Sequence, residues 1–328
     1  MTATLEVDPT TAIDPKVLLG IYTIASKIKM YDDTYITMLQ TGKATGMYYS
    51  PRGQEIIPSA IAQVLTKTDY VLTIYRGIHD QIAKGVPLRE LTAEFFGRVG
   101  GTCKGKGGPM HVTHPESGLI VTTGVVGSGL PIANGVALSA QMRGTDQVTV
   151  VNFGDGATNI GAFHEAMNLA SVWNLPVVFV CQNNQYAEYT AFSQGTSAAQ
   201  VTDRAIGYSM RAFHVDGNNP VEMYEAARRA VDAARTGGGP TLIEADTYRF
   251  RGHTPQDPME YMPMEERAAA EAADPVPALR RRLLDEGLAT EQELADLESA
   301  HRVEIDDAFA FAEASPQPDL SELHTDLV

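Results

Sequence analysis

Residues 148–187, VTVVNFGDGATNIGAFHEAMNLASVWNLPVVFVCQNNQYA, decide the fold. Two short β-branched runs, 148–153 and 177–181, have the pattern of strands buried on both faces. Between them, 162–173 carries Phe163, Met167, Ala170 and Trp173 at helical spacing. A strand, a helix and a strand in that order predict a right-handed parallel crossover. Where the first strand ends stands Gly154-Asp155-Gly156-Ala157-Thr158-Asn159. Glycine lets the backbone approach an anion closely, and the helix that follows offers unpaired N–H groups to a phosphate. Asp155 would then hold a hard divalent cation that neutralises the phosphate. The second strand ends in Gln182-Asn183-Asn184-Gln185-Tyr186, so Asn184 lies 29 residues after Asp155. Adjacent parallel strands bring these ends side by side. Asp155, the Asn184 amide oxygen and a nearby backbone carbonyl, placed at Tyr186, form an oxygen-only half-shell suited to Mg2+. A lone GDG is a common turn. GDG, a helix, a strand and NN at this spacing is specific.

Working outward, 211–215 and 241–247 read as further strands around a helix at 221–235, which Gly237-Gly238-Gly239-Pro240 closes. Upstream, 16–40 repeats apolar residues every three or four positions, as a long amphipathic helix does. The fold class is α/β: a doubly wound, mainly parallel sheet flanked by helices over 16–263. A polar tail, 1–15, precedes it. An acidic helical extension, 264–328, follows, with a helix start at Asp274-Pro275, a stop at Gly287 and a capping box at Thr290 and Glu293.

Charge and composition exclude several functions. The 328 residues carry a net charge of −16, of which −12 falls in 265–328. A near-neutral body with an acidic end lacks the basic face that nucleic acid requires. No apolar run approaches the roughly 20 residues that span a bilayer, so no membrane association is expected. The first residues lack a secretory pattern, and Cys103 and Cys181 form no CxxC; a reduced, cytoplasmic location is expected. Gly124-x-x-Gly127-x-Gly129 is not the dinucleotide fingerprint. Gly100 to Lys106 reads GxxxxGK, but Gly107 stands where a P-loop needs Ser or Thr. His111 and His114 have HxxH spacing without a third ligand, which argues against zinc.

Together, GDGATN…CQNNQYA, GQE at 53–55, YR at 75–76, KGKGGPMH at 104–111, TGVVGSGLPIANG at 123–135 and YRFRGHTPQDP at 248–258 carry a resemblance. The chain resembles the alpha subunits of the thiamine-diphosphate-dependent first component of 2-oxo acid dehydrogenase complexes, a group that includes acetoin dehydrogenase alpha subunits. The resemblance implies thiamine diphosphate and Mg2+ as cofactors. It implies that Tyr75 and Arg76 meet the diphosphate, where an arginine can bind bidentately. Gly124 and Val126 would pack against the middle of the cofactor and its pyrimidine, and Gly154, Asp155, Gly156, Ala157 and Asn184 would form the diphosphate and metal side. His253, on a loop interrupted by Gly252, Pro255 and Pro258, would contact the diphosphate and assist acyl transfer to a lipoyl group on an acyltransferase component. The Glu that activates the pyrimidine would come from a beta subunit, in an α2β2 heterotetramer. The reaction implied is oxidative decarboxylation of a small 2-oxo acid; the alternatives are acetoin cleavage and a non-catalytic cofactor-binding subunit. Two places depart from the pattern. Ile78 and His79 replace the usual YRxHG, and Thr254-Pro255 stands where some relatives carry a phosphorylated serine. Tyr49 and Arg52 are the candidates for substrate contact, Arg52 for a carboxylate.

Overall fold

The computed structural model describes residues 4–8 and 12–326; positions 1–3 and 9–11 of the tail and 327–328 of the extension lie outside the described residues. The central strands are β1 (Thr4–Leu5), β2 (Tyr70–Ile74), β3 (Leu119–Thr123), β4 (Thr149–Gly154) and β5 (Val177–Asn183). A small antiparallel hairpin, β6 (Tyr186–Ala187) with β7 (Thr190–Ala191), precedes β8 (Arg211–Asp216) and β9 (Thr241–Asp246). Apart from the hairpin, the strands form one all-parallel sheet in the order β3-β2-β4-β5-β9-β8-β1.

Eleven helices are present among the described residues: α1 (Pro15–Gln40), α2 (Ile56–Ala62), α3 (Ile78–Lys84), α4 (Leu88–Phe95), α5 (Gly129–Arg143), α6 (Gly161–Val172), α7 (Phe192–Gly195), α8 (Pro220–Arg235), α9 (Met264–Ala272), α10 (Pro275–Asp285) and α11 (Glu291–Ala314). The sheet divides the core in two. Val150, Val178 and Ile243 pack with α1, α2, α8 and the C-terminal helices on one face. Val151, Phe179 and Leu242 pack with α5 and α6 on the other. Strands covered on both sides must be apolar at every position, which is why 148–153 and 177–181 show no alternation.

The parallel β4–α6–β5 unit, the mainly parallel sheet flanked by helices and the C-terminal helices stand as read. β5 runs two residues further than read, to Asn183, because every position of it is buried. Two strands of the sheet were not legible, nor was the β6–β7 hairpin. β1 is a two-residue edge strand paired with Ala212 and Phe213 of β8, inside what reads as a polar tail. β3 sits in a Thr-rich segment beside the glycine motif.

The C-terminal helices share the body's core: Ile305 and Phe309 belong to the first cluster, and the Phe309 ring lies 5.5 Å from that of Tyr31 in α1. Among the described residues no helix is long and apolar enough to cross a membrane.

Candidate functional site

Because all sheet strands are parallel, their carboxyl ends open on one edge. β2 leads outward to β3 while β4 leads the other way to β5, so a crevice forms between β2 and β4, where ligands of doubly wound sheets bind. A cleft of 210 Å3 lies there. It is lined by Tyr75 and Arg76 after β2, Val126 after β3, Gly154 to Ala157 after β4, Asn184 and Tyr186 after β5, and Arg249 after β9. The β4–β5 register pairs Gly154 with Gln182, which sets the turn holding Asp155 beside the one holding Asn184. The two groups that the sequence joins only by a 29-residue interval thus share one cleft.

Asp155 is 2% exposed, and its carboxyl is pushed up to about 6 by burial, with Arg249 and Arg76 pulling the other way. Among the described residues no other side chain donates to it. A buried carboxylate in that position is costly unless a cation completes it. The Asn184 amide oxygen accepts from the Tyr186 N–H at 3.2 Å, which leaves its second lone pair free, while its NH2 donates to Gln54. The glycines fit an anion beside this pair. A side chain on Gly154 would project into open space, and one on Gly156 would strike the Ala187 Cβ at 2.6 Å. The donor set is all oxygen, buried and short of charge; it suits a hard divalent cation with a phosphate. One detail differs from the sequence reading. Asp155–Asn159 forms a 3-10 turn, and α6 begins only at Gly161, so the turn rather than the helix start faces the cleft.

Arg76 is buried, and its guanidinium is lowered to about 10, first by burial and then by Arg249. It donates to the Ser50 carbonyl at 2.9 Å and reaches His253 Nδ1 at 3.3 Å. His253 sits among the rings of Tyr49, Tyr75 and Tyr189 at centroid distances of 5.2, 5.9 and 6.0 Å. Burial and the two arginines depress it to about 4, so in the protein alone it is neutral at pH 7 and accepts from Arg76. Its loop is pinned: Asp257 accepts from the His253 N–H and from the Tyr261 hydroxyl.

Four predicted residues do not line the cleft: His253, which meets it through Arg76, and three others. Gly124 does not line the cleft; a Cβ there would meet Met110 and His111 at 3.5 and 3.7 Å. Tyr49 packs on Tyr75 at 4.5 Å, at the edge of the cleft. Arg52 is turned away from it, paired with Glu55 and Asp274 and stacked over Phe250 at 5.3 Å. His79, which displaces the usual histidine by one position, is buried behind the site, bonded to Gln182 at 2.6 Å; Gln182 in turn donates to Asp80.

The sequence reading missed four groups. Arg249 is a second guanidinium in the cleft, and it sits inside the quoted segment at 248–258. Its donors hold the hairpin through the carbonyls of Tyr186 and Glu188. Gln54, within GQE, orients Asn184. Glu188 lines the cleft from the hairpin tip. Glu94 lies behind the glycine-rich loop: its two oxygens accept the N–H groups of Cys103, Gly105, Gly107 and Gly108. The phosphate-like nest of the GxxxxGK stretch is therefore filled by the protein's own carboxylate.

The family model described as "Dehydrogenase E1 component" matches residues 24–321. The chain is 39% identical over 310 residues to the alpha subunit of acetoin:2,6-dichlorophenolindophenol oxidoreductase of Bacillus subtilis, covering 94% of this chain and 92% of that one. It is 38% identical over 301 residues to a chloroplastic pyruvate dehydrogenase E1 subunit alpha-3 of Arabidopsis thaliana, covering 90% and 70%. With the pyruvate dehydrogenase E1 subunit alpha of Rhizobium meliloti it shares 36% over 277 residues, covering 84% and 80%. On the strength of its fold, its cleft and a match across most of its length, the chain belongs to the dehydrogenase E1 component family.

Proposed function

We propose that this chain is the alpha subunit of a thiamine-diphosphate-dependent dehydrogenase acting on a 2-oxo substrate and passing the acyl group to a lipoyl arm. The carrying observation is the meeting of Asp155, Asn184, Tyr186 and Arg76 in one cleft at the carboxyl edge of a parallel sheet. Asp155, the Asn184 amide oxygen and the Tyr186 carbonyl would hold Mg2+, and Arg76 would neutralise the diphosphate. When bound, thiamine diphosphate supplies the electron sink for cleaving a bond beside a carbonyl. The residues of this chain orient the group and keep water out. Tyr49, Tyr75 and Tyr189 hold His253 over the entrance, where its ring can take or return a proton once an anion beside Arg76 offsets the arginines' depression of its basicity.

The partner is a beta subunit that carries the activating Glu, in an α2β2 heterotetramer, and the acceptor is a lipoyl acyltransferase component. Exposed apolar side chains support a partner surface: Val126 at the cleft with Val125 before it, Ile132 and Met142 on α5, and Val172 with Trp173 at the end of α6. The two free cysteines, Cys103 and Cys181, fit a cytoplasmic setting.

A small 2-oxo acid is the leading donor. A second reading, acetoin cleavage, is favoured by one observation: Arg52, the candidate receptor for a substrate carboxylate, is consumed by Glu55 and Asp274. The test is co-expression with the beta subunit. The pair should turn over a donor with a lipoylated or dye acceptor, and the purified chain alone should not. Robust turnover by the isolated chain refutes the split site. Tight cofactor binding without turnover beside a competent beta subunit would instead mark an assembly subunit.

A further inference from the structure

Four charged side chains line the cleft: Arg76, Asp155, Glu188 and Arg249. Three have work already. Asp155 belongs to the cation. Arg76 donates to Ser50 and His253. Arg249 donates to the carbonyls of Tyr186, Glu188 and Arg251 and to the Tyr261 hydroxyl. Glu188 is the fourth. Among the described residues its carboxylate accepts no hydrogen bond and forms no ion pair, and it lies near enough to Tyr49 to disfavour ionisation of that phenol.

The residue is exposed at the mouth, and the backbone that carries it is fixed. Glu188 occupies the tip of the β6–β7 hairpin with φ 55°, a left-handed conformation that favours glycine or asparagine and that a glutamate holds at a cost. Arg249 fixes the tip through the Glu188 carbonyl at 2.8 Å. Ala187, the preceding residue, packs so closely on the diphosphate turn that Gly156 has no room for a Cβ. The hairpin is therefore registered against the site. Around the same mouth the other groups are uncharged hydrogen-bonding rings: Tyr49, Tyr75 and Tyr189 about His253.

A 2-oxo acid presents a carboxylate next to its reacting carbon; a 2-hydroxy ketone such as acetoin presents a hydroxyl. The mouth offers phenols and an imidazole to a hydroxyl and a negative charge to a carboxylate, while the two guanidiniums of the cleft are engaged, Arg249 by the hairpin carbonyls and Arg76 by Ser50 and His253 beside the diphosphate position. We propose that Glu188 is a charge selector, which sets the preference of this subunit for an uncharged 2-hydroxy ketone over a 2-oxo acid. The proposal rests on the thiamine-diphosphate reading above and, within it, takes the second donor class, acetoin cleavage, over the 2-oxo acid for the same cleft.

The experiment uses the holo heterotetramer, wild type and Glu188→Gln, with acetoin, pyruvate and a branched-chain 2-oxo acid as donors and a dye acceptor. The wild type should favour acetoin. In Glu188→Gln the ratio of kcat/KM for the acids to that for acetoin should rise roughly tenfold, the scale of one partly screened unit charge. Salt supplies an independent reading that needs no variant. Raising ionic strength from about 20 to 300 mM should increase the wild type's kcat/KM for the acids and leave that for acetoin flat, because screening removes repulsion only from a charged donor. In Glu188→Gln the salt effect on the acids should vanish. An active wild type with no salt effect, or a variant whose ratio stays within about twofold, overturns the selector while the functional reading stands. A wild-type heterotetramer inert toward every donor overturns both.

Discussion

Glu94→Gln tests how the glycine-rich loop is held. Glu94 is fully buried on α4, and its carboxylate is the hub of residues 103–108. One oxygen accepts from Cys103 at 2.7 Å and Gly105 at 2.9 Å; the other accepts from Gly107 at 2.7 Å and Gly108 at 3.0 Å. The amide variant keeps one oxygen and turns the other into an NH2 donor facing two N–H donors. Flipping the amide only exchanges which pair is lost. Two charge-assisted hydrogen bonds, each about 1.5–3 kcal/mol, are replaced by donor–donor conflict, so a loss of roughly 3–5 kcal/mol is expected after some loop relaxation. The loop cannot relax freely, since a side chain on Gly107 would already touch the His111 carbonyl and Gly124 lies against Met110 and His111. Urea unfolding should show a lower midpoint with an unchanged slope. Amide exchange at 103, 105, 107 and 108 should accelerate selectively. A change below about 1 kcal/mol with those amides still protected would refute the hub.

Asp155→Ala should abolish Mg2+-dependent thiamine diphosphate binding in titration calorimetry without unfolding the chain, because burial already holds that carboxyl up to about 6 and its charge serves the cation rather than the core. Asn184→Ala should weaken binding less, since an amide oxygen carries no net charge. His253→Ala should lower turnover of the heterotetramer by roughly 10²–10⁴-fold, the worth of a positioned acid or base; near-wild-type rates with a lipoylated acceptor would reduce it to a packing residue. Asp32, buried against Tyr48 and Ser50, is raised to about 6 chiefly by burial. Its folded value exceeds its unfolded one, so its contribution to stability is complete below about pH 4 and is lost as pH rises through 6. Relative to wild type, Asp32→Asn should therefore gain about 1–3 kcal/mol between pH 4 and pH 8; a pH-independent difference in melts would contradict this.

What could be read from the sequence follows from how local each signal is. The β4–α6–β5 unit was legible because doubly covered strands need uninterrupted apolar runs and because GDG and NN sit at their ends. β1 left no trace, since two residues carry no period and their partner, β8, lies more than 200 residues away. Tyr75, Arg76, Val126, Asp155, Asn184 and Tyr186 were found through motifs, and the fold gathers them. Arg52 reads identically as a substrate ligand or a structural cation; only the placement of Asp274, 222 residues downstream, decides. Glu94 and Glu188 carry no motif of their own. Each acquires its role from a turn that another segment supplies.

The Arg52 contact has a consequence for how this chain can be divided. Arg52 joins the GQE segment, through Glu55, to the N-cap of α10, Asp274, and its carbonyl accepts from the Phe250 N–H at the start of the His253 loop. An extension that reads as an acidic helical appendage is thus wired by one guanidinium to the residues that position Asn184. A chain ending near residue 263 would leave Arg52 short of one carboxylate and strip Tyr31 and Tyr35 of the Phe309 ring. Cofactor affinity should then register damage at the far carboxyl end, and any attempt to build a minimal version of this subunit has to keep the last helices along with the cleft.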